Sequence, residues 1–426
     1  MFTSIHSIRL KLAAASAAVM LAACGGGGSS APPPTGGLTL DPGDGQVTVS
    51  WTATSGVDYW LGWLAASSVS LEIGMPHTWV LNVSSPYVLK GLTNGTTYAF
   101  SVNGRTDGGA GGAATPSMAT APRPGGFTWS AGTPTTLGST AMRSLAYGTA
   151  ADTSIDYVAV GDGSAVYKGT DGINWTAVST SGLPGSTFNF RAATYTLSKF
   201  IAAGSGGQIF YSTDMATWTA ATSNISNAIN VNALASNGTT VVAVGDAGTI
   251  RYSTDGATWT AAASVPTSNT LNGVTYAASG LWIAVGANGT LLTSSDGSSW
   301  TAQTSNTTAN LTSVATQVTT VYTYVAVGDA GTVLKSTDGS TWTSATVSPA
   351  ANLTAVVVPS TNSQFLAVGT GGAVFTSADA VTWIDRSSSS STTPSTCAAG
   401  HDWLGLISAQ VQYVALASDG ANCNSH

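Results

Sequence analysis

The stretch "STDGATW", residues 253–259, returns as "SSDGSSW" from Ser294 and "STDGSTW" from Ser336. Three near-copies of a polar, glycine-bearing segment that ends on tryptophan announce a tight reversal followed by a buried anchor. The reversal recurs with a fixed period. Six tryptophans close such segments, Trp175, Trp218, Trp259, Trp300, Trp342 and Trp383, at spacings of 43, 41, 41, 42 and 41 residues. Each unit carries the same order: an apolar strand ("LNGVTY"), a second ("LWIAVG"), a short turn ("ANG"), a third strand ("TLLTS"), the Asp turn, then a fourth strand ("SWTAQT"). Four short strands in about 40–45 residues is the signature of a propeller blade.

Composition agrees. Charged residues make up 7% of the 426, and the chain holds 50 glycines with abundant Thr, Ser, Val and Ala, which favours strands and turns over helices. The predicted class is all-β.

The repeat resembles the Asp-box (BNR-like) repeats of β-propellers, a superfamily spanning sialidases, xyloglucanase-type glycosidases, sortilin-type receptors and photosystem II assembly factors. The fuller motif reads S-x-D-x-G-x-T-W. This chain is one residue shorter between Asp and Gly; the box from Gly169 lacks the Ser, and those holding Asp214 and Asp379 lack the Gly. A Ser hydroxyl and an Asp carboxylate can accept the N–H groups of the reversal, and Gly supplies positive φ. Asp171, Asp214, Asp255, Asp296, Asp338 and Asp379 are therefore assigned to structure, and the resemblance implies that they lie on the face opposite a ligand site.

Six full units run from about Met142 to Arg386. The tail "WLGLISAQVQYVALASDG" supplies a further first and second strand, and "FTWSAGT" (127–133) matches the fourth-strand pattern. Both ends of the repeat region then complete a seventh blade, and closure removes the open sheet edges. The expectation is a seven-bladed β-propeller over 126–426.

Residues 37–122 read as a small β-sandwich. "QVTVSW" alternates with period two, and "YVLKGLTNGTTYAFSV" gives two strands around Asn-Gly. "LTNGTTYAFSV" resembles the E-to-F corner of a fibronectin type III domain, which implies that Tyr98 is the corner tyrosine. In "DYWLGWL", Trp60 or Trp63 is a candidate exposed aromatic, with burial the simpler expectation.

The first 23 residues have a basic start (Arg9, Lys11), a short apolar run and small residues before Cys24, as in a signal peptide. "LAAC" resembles the bacterial lipobox, so Cys24 is the expected lipid anchor, and Gly25 suggests sorting to the outer membrane. Residues 24–36 form a Gly/Ser/Pro tether. Without Arg9 and Lys11, ten basic residues face nineteen acidic ones. Nucleic acid is an improbable partner for such a surface.

Cys397 and Cys423 remain, and a disulfide is the preferred reading, closing a loop worth roughly 3–4 kcal/mol. "CAAGH" and "CNSH" leave a Cys2His2 alternative with His401 and His426. No cofactor or metal is otherwise expected.

Sialidase chemistry as the resemblance implies it uses an arginine trio with a Tyr–Glu pair. The propeller region has Arg143, Arg191, Arg251 and Arg386 but no Glu, since the one glutamate is Glu72. A glycoside hydrolase using two Asp residues stays open, with Asp162, Asp246 and Asp329 of the "VGD" turns as candidates. A ligand site emerges from aligning first strands, which line the channel of a propeller. Their second residues are Arg143, Arg191, Asn232, Asn272, Thr312, Thr354 and Leu404. Six polar groups at one level, with two arginines on adjacent blades, suggest a channel mouth that binds a protein or glycan. The expected molecule is a monomeric, non-catalytic outer-membrane lipoprotein acting as a binding scaffold. A polysaccharide-active hydrolase and a structural surface protein are the alternatives.

Overall fold

The computed structural model describes residues 37–43, 45–65, 78–106, 114–122, 129–131, 137, 140–149, 155–318, 321–358, 364–387, 397, 400–409 and 412–425. The expected signal peptide (1–23), Cys24, the expected tether (24–36), Glu72 and His426 lie outside the described residues. The chain divides into two compact units, Met1–Pro124 and Gly125–His426. The described residues hold strands and short 3-10 turns, with no α-helix.

In the first unit a three-stranded sheet orders Thr39–Gly43, Gln46–Ser50 and Tyr87–Lys90, and a four-stranded sheet orders Thr78–Val83, Asp58–Ala65, Tyr98–Arg105 and Met118–Thr120. Alternation sends Val47 and Val49 of one sheet against Tyr59, Leu61, Phe100 and Val102 of the other. Trp51 meets Tyr59 edge-on at 5.5 Å. The Thr93 N–H donates to the Tyr98 hydroxyl at 3.1 Å, tying the strand to the turn before it. Neither candidate tryptophan is free: Trp60 lies under the Arg105 guanidinium at 4.4 Å, and Trp63 packs on the core.

The second unit contains seven four-stranded antiparallel sheets among the described residues. Their first strands are Met142–Thr149, Phe190–Thr196, Val231–Ser236, Leu271–Tyr276, Leu311–Val318, Leu353–Val357 and Trp403–Ala409. Each packs beside the next and the seventh beside the first, so the sheets form a closed ring. Second strands such as Val241–Gly245 and Phe365–Gly369 are buried at every residue, which explains their unbroken apolar runs.

The seventh sheet draws on both ends of this unit. Trp403–Ala409, Gln412–Ala417 and Asn422–Ser425 supply three strands, and Ser130–Ala131 supplies the fourth, pairing Cys423 with Ala131 and Asn424 with Ser130. Trp129 stacks on Trp403 beside this seam at 6.4 Å. Cys397 and Cys423 are bonded, with S–S 2.05 Å and Cα–Cα 5.9 Å. The sulfurs are therefore not available to a Cys2His2 site. His401 instead faces Asp419, Nδ1 to Oδ2 at 2.7 Å.

The Asp turns join third to fourth strands. In the turn that opens the sequence reading, Ala257 and Thr258 N–H both donate to Asp255 Oδ1 at 2.8 Å. Ser253 Oγ donates to the same oxygen at 2.9 Å while accepting from Gly256 N–H. Asp214, Asp296, Asp338 and Asp379 repeat the pattern, and Asp171 takes the N–H groups of Ile173 and Asn174. The backbone N–H groups of Thr258 and Ser299 lead in holding Asp255 and Asp296 down at about 2. These carboxylates are occupied by their own turns.

Four boxes place Gly at positive φ (Gly172, Gly256, Gly297 and Gly339), and the two that lack it force Met215 to φ 64° and Ala380 to φ 59°. The glycines also admit the preceding sheet. A Cβ on Gly256 would sit 2.8 Å from Ile201 Cδ1, and one on Gly172 2.5 Å from Val414 of the seventh sheet. The closing tryptophans are buried, apart from half-buried Trp383.

Candidate functional site at the channel mouth

Antiparallel alternation fixes which ends of the sheets share a face. The starts of the first strands and the turns between second and third strands lie at one end. The Asp turns lie at the other. The ring of second residues is thus separated from the Asp turns by the full length of the strands.

Seven residues of that ring, Arg143, Arg191, Asn232, Asn272, Thr312, Thr354 and Leu404, line one cavity of about 320 Å³. Below the polar level, small residues such as Ser144, Ala192, Gly273 and Gly405 admit the close approach of the seven strands, followed by Leu145, Leu234, Val274 and Leu406. The channel therefore has a polar mouth and an apolar throat. Arg251 and Arg386 do not line it; Arg251 donates to Asn224 O and Arg386 to Thr376 Oγ1.

Most of the ring's polarity is spent on the ring itself. Asn232 Nδ2 donates to Leu271 O at 3.0 Å, Asn272 Nδ2 to Leu311 O at 2.9 Å, Thr312 Oγ1 to Leu353 O at 2.6 Å and Thr354 Oγ1 to Trp403 O at 2.6 Å. In each case the acceptor is the first residue of the next sheet's first strand. These bonds stitch neighbouring sheets, because a carbonyl there has no partner strand to serve.

A second set of stitches lies just outside it. The residue before a first strand accepts the N–H at the left-handed position of the previous sheet's turn: Asn189 from Gly163, Asn310 from Asn288, Asn352 from Ala330 and Asp402 from Gly371. This role was not anticipated from sequence, although an Asn directly before the apolar strand recurs at 189, 230, 310 and 352.

The two arginines differ. Arg143 is clamped by Asp162 of its own sheet, Nε to Oδ1 at 2.5 Å and Nη2 to Oδ2 at 2.8 Å. That hydrogen bond raises the Arg143 pKa further against the opposing effect of burial. Arg191 is exposed, and among the described residues its one hydrogen bond is Nη1 to Asn232 Oδ1 at 3.3 Å. The doubly positive spot expected from sequence is thus reduced to a single open cation.

The "VGD" aspartates serve their neighbours. Asp246 accepts Asn232 Nδ2 at 2.9 Å, Asn230 Nδ2 at 2.8 Å and Asn230 N–H at 3.2 Å. Burial pushes its pKa up, but these bonds and the nearby Arg191 charge bring it below the ordinary value. Asp329 accepts Asn310 Nδ2 at 2.9 Å. Asp246 joins Arg143, Arg191, Asn232, Asn272 and Leu404 around the upper part of the mouth, a space of about 250 Å³. Among the described residues, no cluster of three or more His, Cys, Asp or Glu is disposed to hold a metal.

No protein-family model matches this chain, and no curated protein matches it by sequence. Its fold does have solved counterparts. One is YCF48 bound to a D1 peptide, at TM-score 0.56 and 15% identity over 70% of this chain and 94% of that one. Another is YCF48 from Cyanidioschyzon merolae, at TM-score 0.55 and 16% identity over 70% and 99%. The WD40 β-propeller domain of Doa1 aligns at TM-score 0.51 and 10% identity over 67% and 93%. With the closed ring of four-stranded sheets, these similarities make the fold of the second unit a β-propeller.

Proposed function

We propose that the chain is a non-catalytic binding scaffold that receives a segment of a protein partner at the channel mouth. The observation that carries this reading is the convergence of all seven first strands on one polar cavity, with the Arg191 guanidinium exposed in it. The similar YCF48 structure, which holds a peptide, supports a protein ligand over a glycan. The engagement of Asp162 by Arg143, of Asp246 by Asn230 and Asn232, and of Asp329 by Asn310 favours binding over hydrolysis.

In the same reading the seven sheets are seven blades of the Asp-box type, closed by strand exchange. The strand order of the first unit and the Thr93-to-Tyr98 bond support a fibronectin type III-like spacer. Cys24 acylation would then anchor the chain to the outer membrane. A crosslinking pull-down from intact cells, comparing wild type with Arg191→Ala, tests the scaffold reading. A partner retained by the first and lost from the second supports it; identical profiles overturn it. Metabolic labelling with a palmitate analogue, lost on Cys24→Ala, tests the anchor.

A further inference from the structure

The charge pattern of the mouth names a ligand chemistry, and this inference rests on the channel mouth being the ligand site. Arg143 has its Nε and Nη2 donors taken by Asp162, so its charge is matched within its own sheet. What remains open is one cation and one anion. Among the described residues Arg191 makes a single hydrogen bond, through Nη1, leaving most of its five donors for a ligand. Asp246 accepts three amide hydrogens, which leaves room on a carboxylate with about four acceptor sites.

These two unlike charges share a cavity without pairing. Among the described residues the only Arg–Asp ion pair is Arg143–Asp162. Asn232 stands between the others, its Oδ1 toward Arg191 and its Nδ2 toward Asp246. The amide thus keeps cation and anion apart while both face the same space. A purely anionic ligand at Arg191 would meet Asp246 as a like charge, and a purely cationic one at Asp246 would meet Arg191. A group carrying both charges meets neither penalty.

We infer that the mouth binds an α-amino-acid zwitterion, its carboxylate on Arg191 and its ammonium on Asp246. The space of about 250 Å³ falls below the range of drug-sized pockets and suits a group of few heavy atoms. Two sources present this group: a free amino acid, and the unmodified end of a diamino acid whose side-chain nitrogen is acylated within a larger molecule.

Titration calorimetry on the full chain separates the possibilities with four probes: L-alanine, Nα-acetylalanine, alaninamide and Nε-acetyllysine. Binding of alanine, with at least 10-fold loss for both Nα-acetylalanine and alaninamide, is the expected result. Nε-acetyllysine binding alongside alanine supports either source, and its binding alone assigns the group to a larger molecule. Arg191→Ala and Asp246→Asn should each weaken the bound probe about 10- to 100-fold, the range for a lost hydrogen bond to a charged group. Equal binding of alanine and Nα-acetylalanine means that the ammonium is not read, which overturns the inference while leaving the mouth as a binding site. Binding of none of the four also overturns it, and the Arg191-dependent pull-down then judges the scaffold reading separately.

Discussion

Arg143 and Asp162 meet in a two-pronged ion pair at one shared end of a strand pair, at 2.5 and 2.8 Å, with about a third of each side chain still exposed. Because solvent screens the pair, its contribution is modest, of the order of 1 kcal/mol. Asp162→Asn should lower the urea midpoint by a corresponding amount. A double-mutant cycle with Arg143→Met should return a coupling of that size, and a coupling of zero would show that the pair is ornamental to stability.

Asn422 occupies a position held by an aliphatic residue in every other sheet: Val166, Ile209, Ile250, Leu291, Val333 and Val374 pair with the second strand at the same register. Asn422 is 2% exposed, and among the described residues both its side-chain polar atoms lack a partner. Leaving a buried amide unsatisfied costs about 1–3 kcal/mol. Asn422→Val is expected to raise the thermal midpoint of the propeller unit, and a fall would show that the amide has a use not visible in its contacts.

Ala247 and Ala330 sit at φ 53° in exposed turns. The equivalent positions 163, 206 and 371 are glycine. A left-handed alanine costs roughly 1–2 kcal/mol relative to its preferred backbone, partly offset by the greater freedom of glycine in the unfolded chain. Ala247→Gly and Ala330→Gly should each stabilise by about 0.5–1 kcal/mol in chemical denaturation. No such gain is expected at Ala380, whose methyl is fully buried.

The Asp turns set the acid response. Backbone N–H groups hold Asp255 and Asp296 at about 2, below the ordinary carboxylate range. A depressed carboxylate contributes stability in full above its unfolded pKa and loses it as pH falls through the folded one. Urea midpoints should therefore decline between about pH 4 and pH 2. The variant Asp255→Asn with Asp296→Asn should start lower and show a shallower decline over that window. Parallel curves for the two proteins would remove these turns from the acid response.

How much of this was legible beforehand differs by kind of interaction. The tryptophan period and the Asp turns are local in sequence, so a hydroxyl and a carboxylate two residues apart already describe their own hydrogen bonds. The level of the channel ring was readable too, because a polar residue second in an apolar strand breaks the pattern seven strands share. What the ring does was not readable. Its acceptors are backbone carbonyls of the next sheet, a group every residue owns, and the Arg143 clamp depends on side-chain direction across a hairpin. The strand Asn422–Ser425 was missed because "NCNS" has no apolar alternation. Its place is set by the strands on either side.

Closure of the seventh sheet by Ser130–Ala131 against Asn422–Ser425 has a consequence for biosynthesis. Chains are made and fold from the amino end, so six of the seven sheets can form before their last neighbour leaves the ribosome. The strand at 130 has no partner until residue 425 has emerged, and this most non-local pairing is also the slowest kind to find. Until then the first and sixth sheets each keep an uncovered face where the seventh will pack, and this is the interval in which the growing chain is most open to aggregation.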